Sequence, residues 1–286
     1  MGIVAFNWTE KSNGKWWSRS SKNDDNEMTL VMNRDNWGNR VITKASWDKK
    51  DRILCGRCED NSGIKDNDVG TWLAISRRGR VAFLMSGTLL TDDVVPLYGC
   101  EKYPTEFLES DMSPREFAEH IVRRDGDKQN TWSYSLIVAD MVSGLMVHIR
   151  KPDPNKPDVM IEDVRFGVHT LSPHEGLDST HPKDMHLKHR FTQMIKGLGD
   201  DPLKKLKEFA EGFMASPVGE GDQEPVFVDK MLNHPDIQRG LGKQRYGTTS
   251  TTALLVKHTR EVMFFERFRK EDGVWDTHNI GFNFQL

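Results

Sequence analysis

The apolar residues of this chain fall into short runs, and the length of those runs limits the folds that the chain can adopt. The longest are SLIVADM at 135–141 and TALLV at 252–256, which have the length of a β-strand and are far too short to span a bilayer. Turns rich in Gly, Asn and Asp separate the runs in the first third of the chain. The pattern predicts a core built mainly on β-sheet, without a transmembrane segment.

Apolar runs and turn residues predict the individual strands and helices. Strands are expected at 2–8, 28–32, 71–76, 81–85, 166–171, 251–256, 262–268 and 281–285, with a hairpin of 132–141 and 145–150. Three helices are expected between them. The first begins at Ser113, because Pro114 fits the first turn and Glu116 completes a capping box; the others cover 184–197 and 202–213.

The order of these elements favours one class of fold. Strands, a helix, strands, two helices and strands follow one another along 286 residues. Strands on both sides of a helical block predict an α+β fold, with helices layered on mostly antiparallel sheet. We find no internal repeat and no linker that would separate two domains, so one domain over residues 1–286 is expected.

Composition excludes several classes of function. Acidic and basic residues are nearly balanced, at 43 and 40, which is unlike a protein with a nucleic-acid partner. The N-terminus shows no secretory signal, and three cysteines are too few for a disulfide scaffold, so a reducing, cytoplasmic location is expected. The C-x-x-C of Cys55 and Cys58 has no second ligand pair for zinc, and the polar sequence after it predicts two thiols on one turn. No metal site is expected.

Several short motifs occur in one order along nearly the whole chain. They are the N-terminal apolar strand, Asn33-Arg34-Asp35 followed by Arg40, GTWLAIS at 70–76, SLIVADM at 135–141, FGVHT at 166–170, YGTTSTT at 246–252 and the C-terminal WDTHNIGFNFQL. Together they resemble the NRDE family, also called the transport and Golgi organisation family. The resemblance implies a four-layer αββα sandwich like that of N-terminal-nucleophile hydrolases. In such a site a cysteine at position 2 is the nucleophile, amide groups stabilise an oxyanion, and an Arg–Asp pair positions the nucleophile.

This chain departs from the family pattern at the polar positions of that site. Position 2 is Gly2, which has no side chain to act as nucleophile, and the NRDE motif ends in Asn36. Further polar positions have also changed residue type: Ser86, Trp132, Ser135, Thr170 and Thr249. We therefore expect a pseudoenzyme without covalent amide hydrolysis and no required cofactor. Its vestigial pocket would comprise Gly2, Asn33, Arg34, Asp35, Arg40, Ser86, Ser135 and Thr170.

Two interpretations of Arg34, Asp35 and Arg40 are open at this point. They could form a buried ion pair that fixes the end of a strand, because an unpaired charge there would be costly. They could instead form the floor of an anion-binding pocket, since the guanidinium group matches carboxylates and phosphates.

Five of the ten histidines lie between positions 169 and 189. The plain interpretation is a polar, lysine-rich surface. The functional one is ligation of haem iron, by His169, His181, His186 or His189, with Arg34 and Arg40 near the propionates, or binding of another metal ion through imidazole. Two tryptophans in KWWSR at 15–19 could add exposed apolar surface.

The resemblance implies a trafficking role, because members of the family are proposed to move haem out of mitochondria or storage organelles. We therefore expect a non-catalytic trafficking factor with haem as favoured cargo, associated with mitochondria or other organelles and able to touch membranes transiently. One alternative is an amide or thioester hydrolase for acyl or lipid substrates, in which Asp35 activates water. Another is a module that binds acyl-CoA or lipid. The sequence does not define the oligomeric state.

Overall fold

Two stacked β-sheets form the middle of the molecule, and helices cover the outer face of each. The computed structural model describes residues 2–10, 25–59, 70–86, 100–126, 133–173, 175–233 and 242–285. Within these residues, every pairing between named strands is antiparallel. In the described part of the chain, no helix is both long and apolar enough to cross a membrane.

The first sheet contains eight strands from both ends of the sequence. They are β1 (Gly2–Trp8), β2 (Asn26–Trp37), β10 (Gly167–Ser172), β11 (Gly176–Leu177), β12 (Asp229–Asn233), β13 (Lys243–Lys257), β14 (Glu261–Arg269) and β15 (Trp275–Asn283). Their order is β11-β10-β1-β2-β13-β14-β15, and β12 pairs with β13. The long central strands β2 and β13 therefore lie side by side, although more than 200 residues separate them.

The second sheet contains seven strands from the middle of the sequence. They are β3 (Val41–Trp47), β4 (Ile53–Glu59), β5 (Leu73–Ser76), β6 (Arg80–Ser86), β7 (Tyr134–Asp140), β8 (Leu145–Lys151) and β9 (Met160–Asp163). They follow one another in chain order across the sheet. Each connection therefore joins neighbouring strands.

Side chains that alternate along the strands divide the core into three apolar layers. Phe6, Leu30 and Leu254 of the first sheet pack with Phe83 and Ile137 of the second, in the layer between the sheets. Because successive residues of a strand point to opposite faces, the residues next to these face the helices. Burial of such large apolar side chains stabilises the fold by about 1.5–3 kcal/mol each.

Among the described residues, four α-helices cover the two outer layers. The helices α1 (Tyr103–Glu109) and α2 (Pro114–Asp125) pack on the second sheet, and α3 (Pro182–Lys196) and α4 (Pro202–Glu211) pack on the first. The predicted α+β fold in four αββα layers is confirmed.

Local signals located most elements correctly. The predicted strand at 2–8 is β1, and Ser113 caps α2 through the expected capping box with Glu116. The third predicted helix, α4, ends at Glu211 rather than at residue 213, because Gly212 caps it. The strands β3, β4, β9, β11 and β12 and the short helix α1 were not predicted. KWWSR, Trp132 and His174 lie outside the described residues.

The prediction for the C-x-x-C motif was wrong. Cys55 and Cys58 lie on strand β4 rather than on one turn, and their side chains belong to different layers. Cys55 packs toward α1 and α2, whereas Cys58 faces the space between the sheets. Both thiols are free, and burial raises the pKa of Cys58 to about 11.

Candidate functional site

Gly2 lies at the start of β1, directly opposite Arg34 of β2. Its φ is +150°, a backbone conformation that residues with a side chain rarely adopt. A Cβ atom built on Gly2 would lie far inside van der Waals contact with the carbonyl oxygen of Asn33, and 3.3 Å from the Cα of Arg34. The strand pairing at this position therefore fits glycine and leaves no space for a side chain.

The Asn-Arg-Asp motif does not form one cluster, because it lies in an extended strand. Arg34 points between the sheets, toward Trp72 of the second sheet. Asn33 and Asp35 point to the opposite face, where the Asn33 side chain donates 2.7 Å to the carbonyl oxygen of Met214. Arg34 and Asp35 therefore do not form the ion pair of the first interpretation with each other, since neighbouring residues of a strand face opposite sides.

Arg34 is enclosed between the two sheets. It is only 5% exposed, and its guanidinium carbon lies 5.1 Å from the centre of the Trp72 ring. Burial lowers its pKa, and the nearby carboxylate of Glu266 partly opposes this effect. Its Nε and Nη2 atoms have no hydrogen-bond partner among the described residues. The adjoining cavity of about 10 Å³ has room for about one water molecule.

Arg40 approaches the same indole ring but has a partner of its own. Both of its terminal nitrogens donate to the carboxylate of Glu101, each at 2.8 Å, and its guanidinium carbon lies 5.5 Å from the centre of the Trp72 ring. Glu101 is buried, so this two-pronged pair compensates a charge that would otherwise be costly. Sequence reasoning missed Glu101 because 61 residues separate it from Arg40.

Asp35 is a buried carboxyl group on the helix-facing side of the first sheet. Its Oδ1 accepts a 2.8 Å hydrogen bond from the hydroxyl of Thr248, whose oxygen in turn accepts from the backbone N–H of Val228. Burial raises the pKa of Asp35, although the amino terminus, Thr248 and the cations Lys183 and Arg245 act in the opposite direction. A raised pKa suits an acid or base, but this carboxyl does not face the cavity beside Arg34.

The three remaining hydroxyls of the predicted pocket lie in different places. Ser86 faces the α1–α2 side, and its hydroxyl donates to the carbonyl oxygen of Ser133. Ser135 faces the gap between the sheets, beneath Gly176. Thr170 pairs with Ala5, three residues and about 10 Å along β1 from Gly2. The structure does not bring the predicted vestigial pocket together as one site.

The four candidate histidines are also dispersed. The ring nitrogens of His169 are 2.7 Å from Asp178 and 2.8 Å from the carbonyl oxygen of Arg165. His181 is the N-cap of α3, and His186 lies beside Glu220. His189 is exposed on α3, with its Nε2 2.9 Å from Gln193. Over the described ranges, no group of His, Cys, Asp or Glu is arranged to hold a metal ion.

Asp178 connects His169 to helix α3. Its carboxylate lies 2.7 Å from His169 and 2.8 Å from Lys188, and it also accepts from the backbone N–H of Thr170. Burial alone would raise the pKa of Asp178, but the hydrogen bonds from His169 and Lys188 outweigh it and hold the pKa at about 2. The contacts of His169 are therefore those of a structural residue that anchors β10.

A larger cavity, which sequence reasoning missed, lies at the other end of the sandwich. It has a volume of about 380 Å³ and is near Trp8, about 20 Å along β1 from Gly2. Residues from six separate parts of the chain line it, including Met141, Phe166, His258 and Phe284. No local sequence motif indicates such a site, because residues that are distant in sequence form its walls only when the sheets stack.

Comparison with known proteins establishes the family. The model of the Transport and Golgi organisation 2 family matches residues 1–271, and the chain therefore belongs to that family. The resemblance read from the sequence motifs is confirmed. No curated protein sequence matches the chain.

Two solved structures of a hydrolase are also similar. Both are variants of the conjugated bile acid hydrolase of Clostridium perfringens, and each is 10% identical to this chain. One comparison covers 98% of this chain and 92% of the hydrolase, with a TM-score of 0.45. The other covers 99% and 98%, with a TM-score of 0.42.

Proposed function

We propose that this chain is a non-catalytic trafficking factor that carries haem. Membership of the Transport and Golgi organisation 2 family supports the trafficking role. The observation that carries the non-catalytic part is the environment of Gly2. Glycine supplies no thiol or hydroxyl, and the backbone of Asn33 occupies the space that a Cβ would need.

The surroundings of Gly2 support the same conclusion. The cavity beside Arg34 has room for about one water molecule and none for an amide or thioester substrate. Asp35, the base of the alternative hydrolase, lies on the other face of the sheet from this cavity and is bonded to Thr248. The geometry therefore does not favour the hydrolase.

The family resemblance is the basis for haem as cargo, and the structure limits which residues would contact it. Arg34 is sealed between the sheets and Arg40 is paired with Glu101, so neither is free to bind a propionate. Among the four candidate histidines, His189 has the exposed ring. We propose a reversible complex held mainly by apolar contact, with at most one weak imidazole ligand.

Titration with haem, followed through the Soret band, tests the cargo. We expect a saturable shift at one haem per chain. His189→Ala tests the ligand, and Gln193→Ala is its matched control because it removes the 2.9 Å neighbour but keeps the imidazole. If His189 is the ligand, its replacement weakens binding and Gln193→Ala does not. Absence of a saturable shift in the unaltered protein would refute haem as cargo.

A parallel assay tests the absence of catalysis. Simple amides and thioesters are incubated with the unaltered protein and with Gly2→Cys. We expect no turnover by either protein, because a thiol at position 2 would still lack space for substrate. Turnover by the unaltered protein would contradict a non-catalytic role. Turnover by Gly2→Cys alone would show that substrate can still reach position 2 and that the chain lacks only the nucleophile.

A further inference from the structure

We propose that the 380 Å³ cavity near Trp8 is a binding site for a flat, apolar molecule that carries an acidic group. The volume lies within the range of small-molecule sites, which combine apolar walls with a few polar groups. The proposal rests on this cavity alone and goes beyond the proposed function, because it does not depend on haem being the cargo.

The walls of the cavity are aromatic and partly uncovered. Trp8 and Phe166 lie with their ring centres 5.6 Å apart and their planes inclined at 51°. Trp8 is buried, whereas Phe166 is 49% exposed and Val142, on the rim, is 56% exposed. Large apolar side chains left open around one cavity mark a surface that a ligand can cover.

The floor of the cavity continues this apolar surface. Met141 and Phe284 are both nearly buried and line it from the β7–β8 turn and the C-terminal segment. A thioether adapts to the shape of a ring that packs on it, and aromatic rings favour offset or edge contacts with another π-system. The aromatic rings of Trp8 and Phe166 and the adaptable side chain of Met141 suit a flat, conjugated molecule rather than a sugar or a small ion.

One cation at the cavity is available for an acidic group of the ligand. Four ionisable side chains line it: Glu10, Glu27, His258 and Arg260. Glu27 lies 3.8 Å from the half-buried ring of His258, so these two groups face each other. Glu10 is exposed to solvent at the edge. Arg260 is exposed and forms no ion pair with any described residue, which leaves its guanidinium available for a carboxylate or sulfonate.

The β13–β14 turn determines the position of Arg260. Its φ is +76°, in the left-handed region that favours glycine, and its carbonyl oxygen accepts a hydrogen bond from the backbone N–H of Phe284. An arginine at such a position has a backbone cost that glycine would avoid. Arg260 closes the β13–β14 turn, where its backbone N–H donates to the carbonyl oxygen of Lys257, so the turn fixes this residue at the mouth of the cavity.

The probe for this site is 1-anilinonaphthalene-8-sulfonate, a flat aromatic anion whose fluorescence rises in apolar surroundings. We expect saturable binding at one molecule per chain. Two variants remove the proposed contacts: Phe166→Ala shortens an exposed wall, and Arg260→Gly removes the cation at a position whose φ glycine adopts freely. Each should raise the dissociation constant about tenfold, as loss of a charged hydrogen bond or an aromatic contact does.

Matched controls replace similar residues elsewhere. Met231→Ala removes another exposed apolar side chain, and Arg115→Ala removes another partly exposed arginine, on the far side of the second sheet. Both should leave the dissociation constant unchanged, and circular dichroism confirms that all four variants are folded. The proposal is overturned if the probe does not bind, or if Phe166→Ala and Arg260→Gly bind it as the controls do. The Soret titration measures haem binding separately, so a failure of this proposal and a failure of the proposed function can be distinguished.

Discussion

The fit between Gly2 and the backbone of β2 predicts that even the smallest side chain at position 2 destabilises the protein. In Gly2→Ala the new Cβ would overlap the carbonyl oxygen of Asn33, so the start of β1 must move away from β2. We expect the loss of one or two strand hydrogen bonds, at about 1 kcal/mol each, and about 1 kcal/mol of backbone strain. The free energy of unfolding should therefore fall by about 2–3 kcal/mol.

A second glycine provides the matched control for this prediction. Gly221 has a φ of +59°, and a Cβ built on it would meet no atom within 4 Å. Gly221→Ala therefore carries the strain of a positive φ without the overlap, and should cost about 1 kcal/mol. Urea denaturation, followed by circular dichroism, gives both free energies. If Gly2→Ala is destabilised no more than Gly221→Ala, the argument that position 2 has no room for a side chain is refuted.

Three further predictions concern groups around the candidate site. Arg40→Ala should lower the free energy of unfolding by about 2–3 kcal/mol, because it leaves the buried Glu101 unpaired, and Glu101→Gln in the same chain should restore part of that loss. The pKa of Asp178 is about 2 in the folded protein, below its ordinary 3.8. Its ionised carboxylate therefore contributes about 1–2 kcal/mol to the free energy of unfolding above pH 4, and this contribution is lost as the pH falls toward 2. Unfolding measured against pH should show the stability of Asp178→Asn approaching that of the unaltered protein over that interval. Thiol labelling at pH 8 should leave Cys55 and Cys58 unmodified in the folded protein, since burial raises the pKa of both.

Each of these expectations has a result that would contradict it. Equal stability of Arg40→Ala and the unaltered protein would show that the pair with Glu101 is replaced by solvent. A constant difference between Asp178→Asn and the unaltered protein from pH 6 to pH 2 would remove the case for a lowered pKa. Rapid labelling of Cys55 and Cys58 before unfolding would show that β4 opens in the native state.

The fold could largely be predicted because its strands and helices carry local signals. Strand β1 alternates apolar side chains between two buried faces, and Ser113, Pro114 and Glu116 define the start of α2 within four residues. The polar half of β13, at 243–250, carries no such signal. It is a strand because its backbone pairs with β2 and β12, which come from other parts of the chain.

The candidate site could be predicted only in part, because it too depends on contacts between distant parts of the chain. The motif located Asn33, Arg34 and Asp35 on one strand, but their partners lie far away in sequence, and the face that each side chain occupies follows from the packing of the sheets. Thr248 is 213 residues from the carboxyl group that it contacts. The cavity near Trp8 has no local pattern at all. Sequence motifs therefore identified the family, and the structure was needed to show that the residues of the predicted pocket do not lie together as one site.

Transfer of haem to an acceptor tests most directly whether this protein is a carrier. The protein is loaded with one equivalent of haem and mixed with apomyoglobin, whose spectrum changes when it takes up the cofactor. A non-catalytic carrier predicts that the haem moves intact and completely, at a rate limited by its release, and that the protein can be reloaded. Failure to load, or recovery of chemically altered haem, would contradict the proposed function.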